Sequence, residues 1–209
     1  MISVSIADNN PVVHAGINAF FNNNTDFKIV ANFNTFADAK LSLAKKYLDV
    51  LVLDYELHGL ESLTDLRKII SENPKTKFIV FTNLSENIYA LNMIKIGISG
   101  YLSKNESLEN LETAIEKVIK GEIYLNKKIQ QKIENLKGRN KIDRVFKKIS
   151  TREIEVLKYF TQGKKNKEIA EILNLDQKTI STYKLRLLAK LGVTNLVDLV
   201  QKAKTLDIM

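Results

Sequence analysis

The sequence predicts an α/β protein with a five-stranded, parallel, doubly wound sheet over residues 1–121, followed by a small all-α domain of four helices over residues 149–209. Three observations carry this. The apolar runs Val50–Leu53 and Phe78–Phe81 are continuous, as strands buried on both faces of a parallel sheet must be. Strand-like and helix-like segments alternate five times in the first half, the pattern of stacked βα units. Charge also divides the chain: residues 1–121 hold 12 Lys/Arg against 14 Asp/Glu, and residues 122–209 hold 20 against 10. A near-neutral module joined to a strongly basic one suggests a regulatory half and a polyanion-binding half.

The elements follow in order. Ile2–Ala7 is an apolar run ending in Asp8. Pro11 opens a helix, with Val12, Ile17, Phe20 and Phe21 at helical spacing. Phe27–Phe33 reads as a strand, and Thr35 caps a helix carrying Ala39, Leu43 and Tyr47. Val50–Leu53 ends in Asp54. A helix from about Leu60 to Glu72 stops at Asn73-Pro74. Phe78–Phe81 ends in Thr82, Ile88–Ile96 is helical up to Gly97, and Ser99–Leu102 is a short strand before Ser103 and Lys104. Ser107 caps a helix that Gly121 ends. Residues 122–148 read as a Lys-rich linker containing Gly138–Lys141, with a helical stretch around Ile129–Leu136. Ser150-Thr-Arg-Glu153 has the form of a capping box, opening a helix with Ile154, Leu157 and Phe160 on one face. Asn166 caps Lys167–Leu173, Asp176 caps a longer helix that Gly192 stops, and Asn195–Lys204 is a final amphipathic helix with Leu196, Leu199, Val200 and Ala203 on one side.

Composition excludes several classes of function. There is no cysteine, hence no disulfide framework, thiolate metal site or cysteine nucleophile, and His14 and His58 are too few for a histidine metal cage. No apolar run approaches the roughly 20 residues that span a bilayer, and the N-terminus lacks the pattern of a signal peptide. A cytoplasmic protein without a membrane partner is expected.

Ligands of an open parallel sheet sit outside the carboxyl ends of its strands. Asp8, Asp54, Thr82 and Lys104 all fall there. An aspartate at the end of a central strand is a candidate nucleophile toward a phosphoryl group. A divalent cation beside it, Mg²⁺ by its preference for oxygen, offsets charge on the phosphoryl oxygens. Lys104 can pair with the phosphate, the Thr82 hydroxyl can bond one of its oxygens, and Tyr101 lies where its ring can move as the loop tightens.

In this order, these residues make residues 1–121 resemble the receiver domain of two-component response regulators, whose sheet is flavodoxin-like. Residues 149–209 resemble a LuxR-type helix-turn-helix domain, and the whole resembles the NarL/FixJ class of transcription regulators. Within that class, Lys178–Lys184 and Leu196–Val200 resemble the BvgA/EvgA-type regulators. The resemblance implies Asp54 as phospho-acceptor, Thr82 and Lys104 as the switch pair, Tyr101 as the rotating aromatic, and Asp8, Asn9, Asp54 and Glu56 around Mg²⁺. A sensor histidine kinase would be the phosphate donor.

Three positions of the first module depart from the receiver pattern. Asn9 stands where a second acid is usual, so weaker Mg²⁺ binding is expected. Glu56 normally offers only its backbone carbonyl, and its side chain is a candidate replacement for the missing carboxylate. His58 replaces a proline, and Asn83 follows Thr82 where a small residue is usual.

In the second module, a helical wheel puts Tyr183, Leu187 and Leu191 beside Ile180 on an inward face. Lys178, Ser181, Thr182, Leu185, Arg186 and Ala189 lie opposite. Ser181 and Thr182 can bond base edges, and Leu185 and Ala189 suit thymine methyl groups. The resemblance likewise implies that Ser181, Thr182 and Leu185 reach bases. Lys165, Asn166, Lys167, Thr179 and Lys184 are placed for phosphates at helix starts and rims. Family patterns carry a serine at Lys165 and a histidine at Tyr183.

The expected function is a DNA-binding transcriptional regulator, not an enzyme, phosphorylated on Asp54 and acting on double-stranded DNA as a homodimer. The amphipathic helix Asn195–Lys204 reads equally as a dimer contact and as a lid on the small helical core. Asn9, His58 and Asn83 motivate an alternative, a regulator that binds DNA without phosphorylation and uses its first module only to dimerise.

Overall fold

The structure, a computed structural model, describes residues 1–134 and 149–206. Five parallel strands, β1 (Ile2–Ala7), β2 (Phe27–Phe33), β3 (Val50–Leu53), β4 (Lys77–Thr82) and β5 (Gly100–Ser103), form one sheet in the order β2-β1-β3-β4-β5. Helices α1 (Pro11–Phe21), α2 (Phe36–Lys45), α3 (Leu63–Glu72) and α4 (Glu86–Ile96) connect them, and α5 (Leu108–Ile119) follows β5. All four residues of β3 are buried, which explains its uninterrupted apolar run. The order of strands reverses between β1 and β3, so the crevice above their carboxyl ends is where a ligand would sit.

Two boundaries differ from the sequence reading. Helix α3 begins at Leu63 because Ser62 and Asp65 form a reciprocal capping box. Leu57, Leu60 and the left-handed Gly59 instead build a turn before it. Helix α2 ends at Lys45, Lys46 is extended, and Tyr47 stands 58% exposed rather than on the inward helix face. Helix α4 also begins earlier than read, at Glu86, and Gly97, which caps its end, has φ 108°, a conformation a side chain would strain.

Past α5 the chain returns to the sheet. Tyr124 bridges Gly100, its carbonyl accepting from Tyr101 N–H at 3.0 Å and its own N–H donating to Ser99 O at 2.9 Å, so it borders β5. Helix α6 (Lys127–Glu134) follows, with Leu125 and Ile129 buried. The expected helical stretch around Ile129–Leu136 falls in α6 as far as Glu134; Leu136 and Gly138–Lys141 lie outside the described residues.

The second module comprises α7 (Thr151–Thr161), α8 (Asn166–Leu173), α9 (Gln177–Leu191) and α10 (Leu196–Thr205). The Ser150/Glu153 capping box forms as read. The cap of α8 is one residue earlier than expected: Lys165 precedes the helix, and its N–H donates to the Glu168 carboxylate at 2.7 Å. Ile154, Leu157, Phe160, Ile169, Leu173, Ile180, Leu187, Leu191, Leu199 and Ala203 pack as the core. That core is continuous with the α3/α4 side of the sheet, through residues such as Leu60, Leu63, Met93, Ile149 and Tyr159. No helix among the described residues is long and apolar enough to cross a membrane.

Candidate functional site

The carboxyl ends of β1, β3 and β5 bring Asp8, Asp54 and Lys104 together. Lys104 Nζ lies 2.5 Å from Asp54 Oδ2 and 2.7 Å from Asp8 Oδ2. Asp8 and Asp54 are almost fully buried, and the lysine side chain is 13% exposed. Burial opposes the lysine's charge, but its bonds to the two carboxylates outweigh that and hold it above its usual range. One ammonium between two acids leaves the pocket net negative, as a cation-assisted anion site requires. Each carboxylate is also tied to its own loop: Asp8 Oδ1 accepts from Asn10 N–H at 2.7 Å, and Asp54 Oδ1 from Glu56 N–H at 3.1 Å.

Thr82, at the end of β4, is fully buried, and its carbonyl accepts Lys104 N–H at 3.0 Å. The Tyr101 ring is fully buried, with its hydroxyl donating to Leu84 O at 2.8 Å. Tyr101 is therefore coupled to the Thr82–Leu84 loop by one hydrogen bond.

Asn9 does not point its amide freely into the pocket. Its Nδ2 donates to Glu56 O at 2.7 Å, and its Oδ1 accepts from His58 N–H at 2.8 Å. The amide thus clamps the loop that follows Asp54. The Glu56 side chain is exposed, while its carbonyl accepts the Asn9 amide. Among the described residues no group of three or more His, Cys, Asp and Glu gathers as a metal site. The donor set nevertheless fits a hard cation, which binds through one or two carboxylates and keeps several waters. Asp8 and Asp54 meet at Lys104 Nζ, and the Glu56 carbonyl, on the loop that follows Asp54, accepts from Asn9. His58 and Asn83 are exposed.

In the helical module the wheel reading holds in space. Ile180, Leu187 and Leu191 are buried, and Tyr183 is half-buried. Lys178, Thr182, Arg186 and Ala189 are exposed, and Leu185 is 67% exposed. Asn166 Nδ2 donates to Ser181 Oγ at 3.0 Å, joining the start of α8 to the outer face of α9. Thr182 Oγ1 returns to Lys178 O at 2.9 Å. Lys165 and Lys167 are exposed at the start of α8, and Thr179 and Lys184 are half-buried along α9. On α10, Leu199 and Ala203 close the core, whereas Val197 is 75% exposed.

This geometry agrees with the comparisons. Residues 4–116 match the family model of the response regulator receiver domain, and residues 147–203 that of the bacterial regulatory proteins of the luxR family. The chain belongs to the response regulators. It is a regulator of the NarL/FixJ class, with a receiver and a LuxR-type DNA-binding module. Its sequence is 31% identical to the Fimbriae Z protein of Salmonella typhimurium, over 99% of this chain and 98% of that one. The fold is similar to that of RcsB from Salmonella enterica serovar Typhimurium bound to a promoter in the presence of phosphomimetic BeF3⁻, with TM-score 0.81 and 26% identity over 97% of this chain and 98% of that one. A structure of two RcsB dimers bound to two parallel DNAs is similar at TM-score 0.76 and 26% identity, covering 96% of this chain and 97% of that one.

The sequence reading missed the contacts that side chains of α7 make with residues 55–63, the stretch that follows Asp54. Glu155 Oε1 accepts Leu63 N–H at 2.5 Å, and Tyr159 Oη donates to Glu61 O at 2.6 Å. Lys158 Nζ lies 4.6 Å from the centre of the Tyr55 ring. On a helical wheel 155, 158 and 159 share a face, but charged residues there look solvated until the other module is in place.

Proposed function

We propose that phosphorylation of Asp54 switches this regulator and changes how residues 149–209 hold promoter DNA. The convergence of Asp8, Asp54 and Lys104 at three strand ends supports it best. In the transfer, an Asp54 carboxylate oxygen bonds to the phosphorus of a phosphohistidine on a sensor histidine kinase. The N–P bond breaks, and the imidazole keeps the electron pair and takes up a proton. Lys104 then pairs with a phosphoryl oxygen, the Thr82 hydroxyl donates to another, and Tyr101 follows through its bond to Leu84. Asp8, Asp54 and the Glu56 carbonyl would hold Mg²⁺ with Asn9 beside them, and the ion would offset phosphoryl charge. The missing acid at Asn9 and its hold on the Glu56 carbonyl weaken that binding. Unchanged Mg²⁺ affinity in Glu56→Ala would leave the carbonyl as the only contribution of that residue.

On DNA, Ser181, Thr182 and Leu185 read bases in the major groove, while Lys165, Asn166, Lys167, Lys178, Thr179 and Lys184 hold phosphates. The regulator acts as a homodimer on a two-fold site, as the likeness to RcsB suggests, with the exposed Val197 edge of α10 as the output-domain contact. We divide it into a receiver (1–121), a linker (122–148) and an output domain (149–209), working in the cytoplasm. It is not an enzyme; hydrolysis of its own acyl phosphate is its only turnover. The test is incubation of the full chain with a small acyl-phosphate donor and Mg²⁺. Mass gain of one phosphoryl group at Asp54, absent in Asp54→Ala, is expected. No gain would favour a regulator that works without phosphorylation.

A further inference from the structure

Lys158 is an unusual residue for its place. It sits on α7 of the output domain yet is buried against the receiver loop that begins at the acceptor. Its ammonium lies 4.6 Å from the centre of the Tyr55 ring and 5.9 Å from that of Tyr159. Among the described residues the ammonium makes no ion pair and donates no hydrogen bond; the Lys158 carbonyl accepts from Thr161 Oγ1 at 2.7 Å. Tyr55 directly follows Asp54, and its own hydroxyl is buried without a hydrogen-bond partner among the described residues. The charged groups facing Lys158 are Glu56, Glu61, Asp54 and Glu155. Burial pulls this ammonium below the ordinary lysine range, and those four acids only partly offset it. A buried cation stacked on rings but lacking an acceptor costs stability, and an apolar side chain of the same length would fill the space without that cost.

We infer that Lys158 is a positioning residue that reads the charge of the acceptor from across the domain boundary. This rests on Asp54 being the phospho-acceptor. Conversion of the carboxylate to an acyl phosphate adds about one negative charge at the residue next to Tyr55, on whose ring Lys158 rests, and so to one of the four acids that face it. The added charge holds the ammonium in place and tightens the seat of α7 on residues 55–63. The DNA-facing side of α9 stays open to solvent in this arrangement, with Lys178, Thr182 and Leu185 exposed. The acyl phosphate therefore works by fixing the orientation of the output domain, not by uncovering a masked surface. Coupling of this kind is reciprocal, so the seat in turn favours the phosphorylated acceptor.

The test uses the full chain with Lys158→Met and Lys158→Arg, treated with a small acyl-phosphate donor and Mg²⁺. Mass spectrometry reads Asp54, and hydrogen exchange reads residues 60–66 and 151–160. In the parent, phosphorylation should slow exchange of both segments by about five-fold or more. Lys158→Met should keep the mass gain, melt at a higher temperature than the parent, and lose the slowing. Lys158→Arg should restore it. A Lys158→Met chain that gains mass and slows like the parent overturns the inference while leaving the acceptor reading intact. No mass gain in the parent removes both. Should Lys158→Met fail to fold, Lys158→Arg decides: its slowing must match the parent's, and a lost response with mass gain intact refutes a charge-reading role.

Discussion

Removing the Glu155 carboxylate should loosen the output domain from the receiver. The first N–H groups of a helix have no partner within it. In α3, Ser62 Oγ serves Asp65 N–H, and Leu63 N–H is served by Glu155 from α7. Glu155 also pairs with Arg152 at 2.8 Å and is 1% exposed. Glu155→Ala leaves a buried N–H unsatisfied, at about 1–3 kcal/mol. It also removes a negative charge from a helix N-terminus, worth up to about 2 kcal/mol in a buried setting. Relief of carboxylate desolvation offsets part of this, so a net loss of about 2–3 kcal/mol is expected. Denaturant unfolding of the full chain measures it, and a change below about 0.5 kcal/mol would refute the seat.

The same residue sets a pH signature. Burial raises the Glu155 carboxyl above the usual glutamate range, outweighing the Arg152 charge and the Leu63 N–H. A carboxyl raised in the seated state takes up a proton on seating. Its contribution therefore grows as pH falls through the seated pKa and is complete below the ordinary glutamate value. Glu153 works in the opposite sense. Burial penalises it, but bonds to Lys190 and Ser150 win and hold it low, so its contribution fades as pH falls. Comparison of Glu155→Gln with the parent isolates the first effect: the parent should gain stability relative to the variant as pH falls from 7 toward the glutamate range. A constant difference across that window would contradict the assignment.

Other outcomes are expected. Asn9→Asp restores a carboxylate and should tighten Mg²⁺ binding about ten-fold by titration calorimetry, a gain of about 1.4 kcal/mol; equal affinities would show that the amide is no handicap. Lys104→Met leaves two buried carboxylates facing each other, so Mg²⁺ should raise its melting temperature more than the parent's. An equal shift would mean that Lys104 does not compete with the cation. Lys167→Ala should weaken binding to every DNA sequence and flatten the salt dependence by about one unit of slope. Thr182→Ala should change the preferred site, and an unchanged site would reverse the orientation given to α9.

Much of this was legible because it is local. Val50–Leu53 announces a strand buried on both faces, and the acid that ends it falls where a parallel sheet binds ligands. The outer face of α9 was readable because a core helix does not collect Lys, Ser and Thr on one side. The start of α3 was misplaced because the apolar pattern was followed back to Leu60, past the Ser62/Asp65 box that sets it. Tyr47 continued a helical spacing that the extended Lys46 breaks. The bonds of the Asn9 amide to Glu56 and His58, 47 and 49 residues away, have no local sequence signal. Glu155, Lys158 and Tyr159 meet receiver residues more than 90 positions away, and no period or motif encodes such contacts.

The most direct measurement is a footprint of the full chain on promoter DNA, titrated with and without a small acyl-phosphate donor, for the parent and for Asp54→Ala. Occupancy should rise by about five-fold or more with the donor in the parent and stay fixed in Asp54→Ala. Equal protection with and without donor in a parent that carries the phosphoryl group would contradict the coupling of acceptor to DNA.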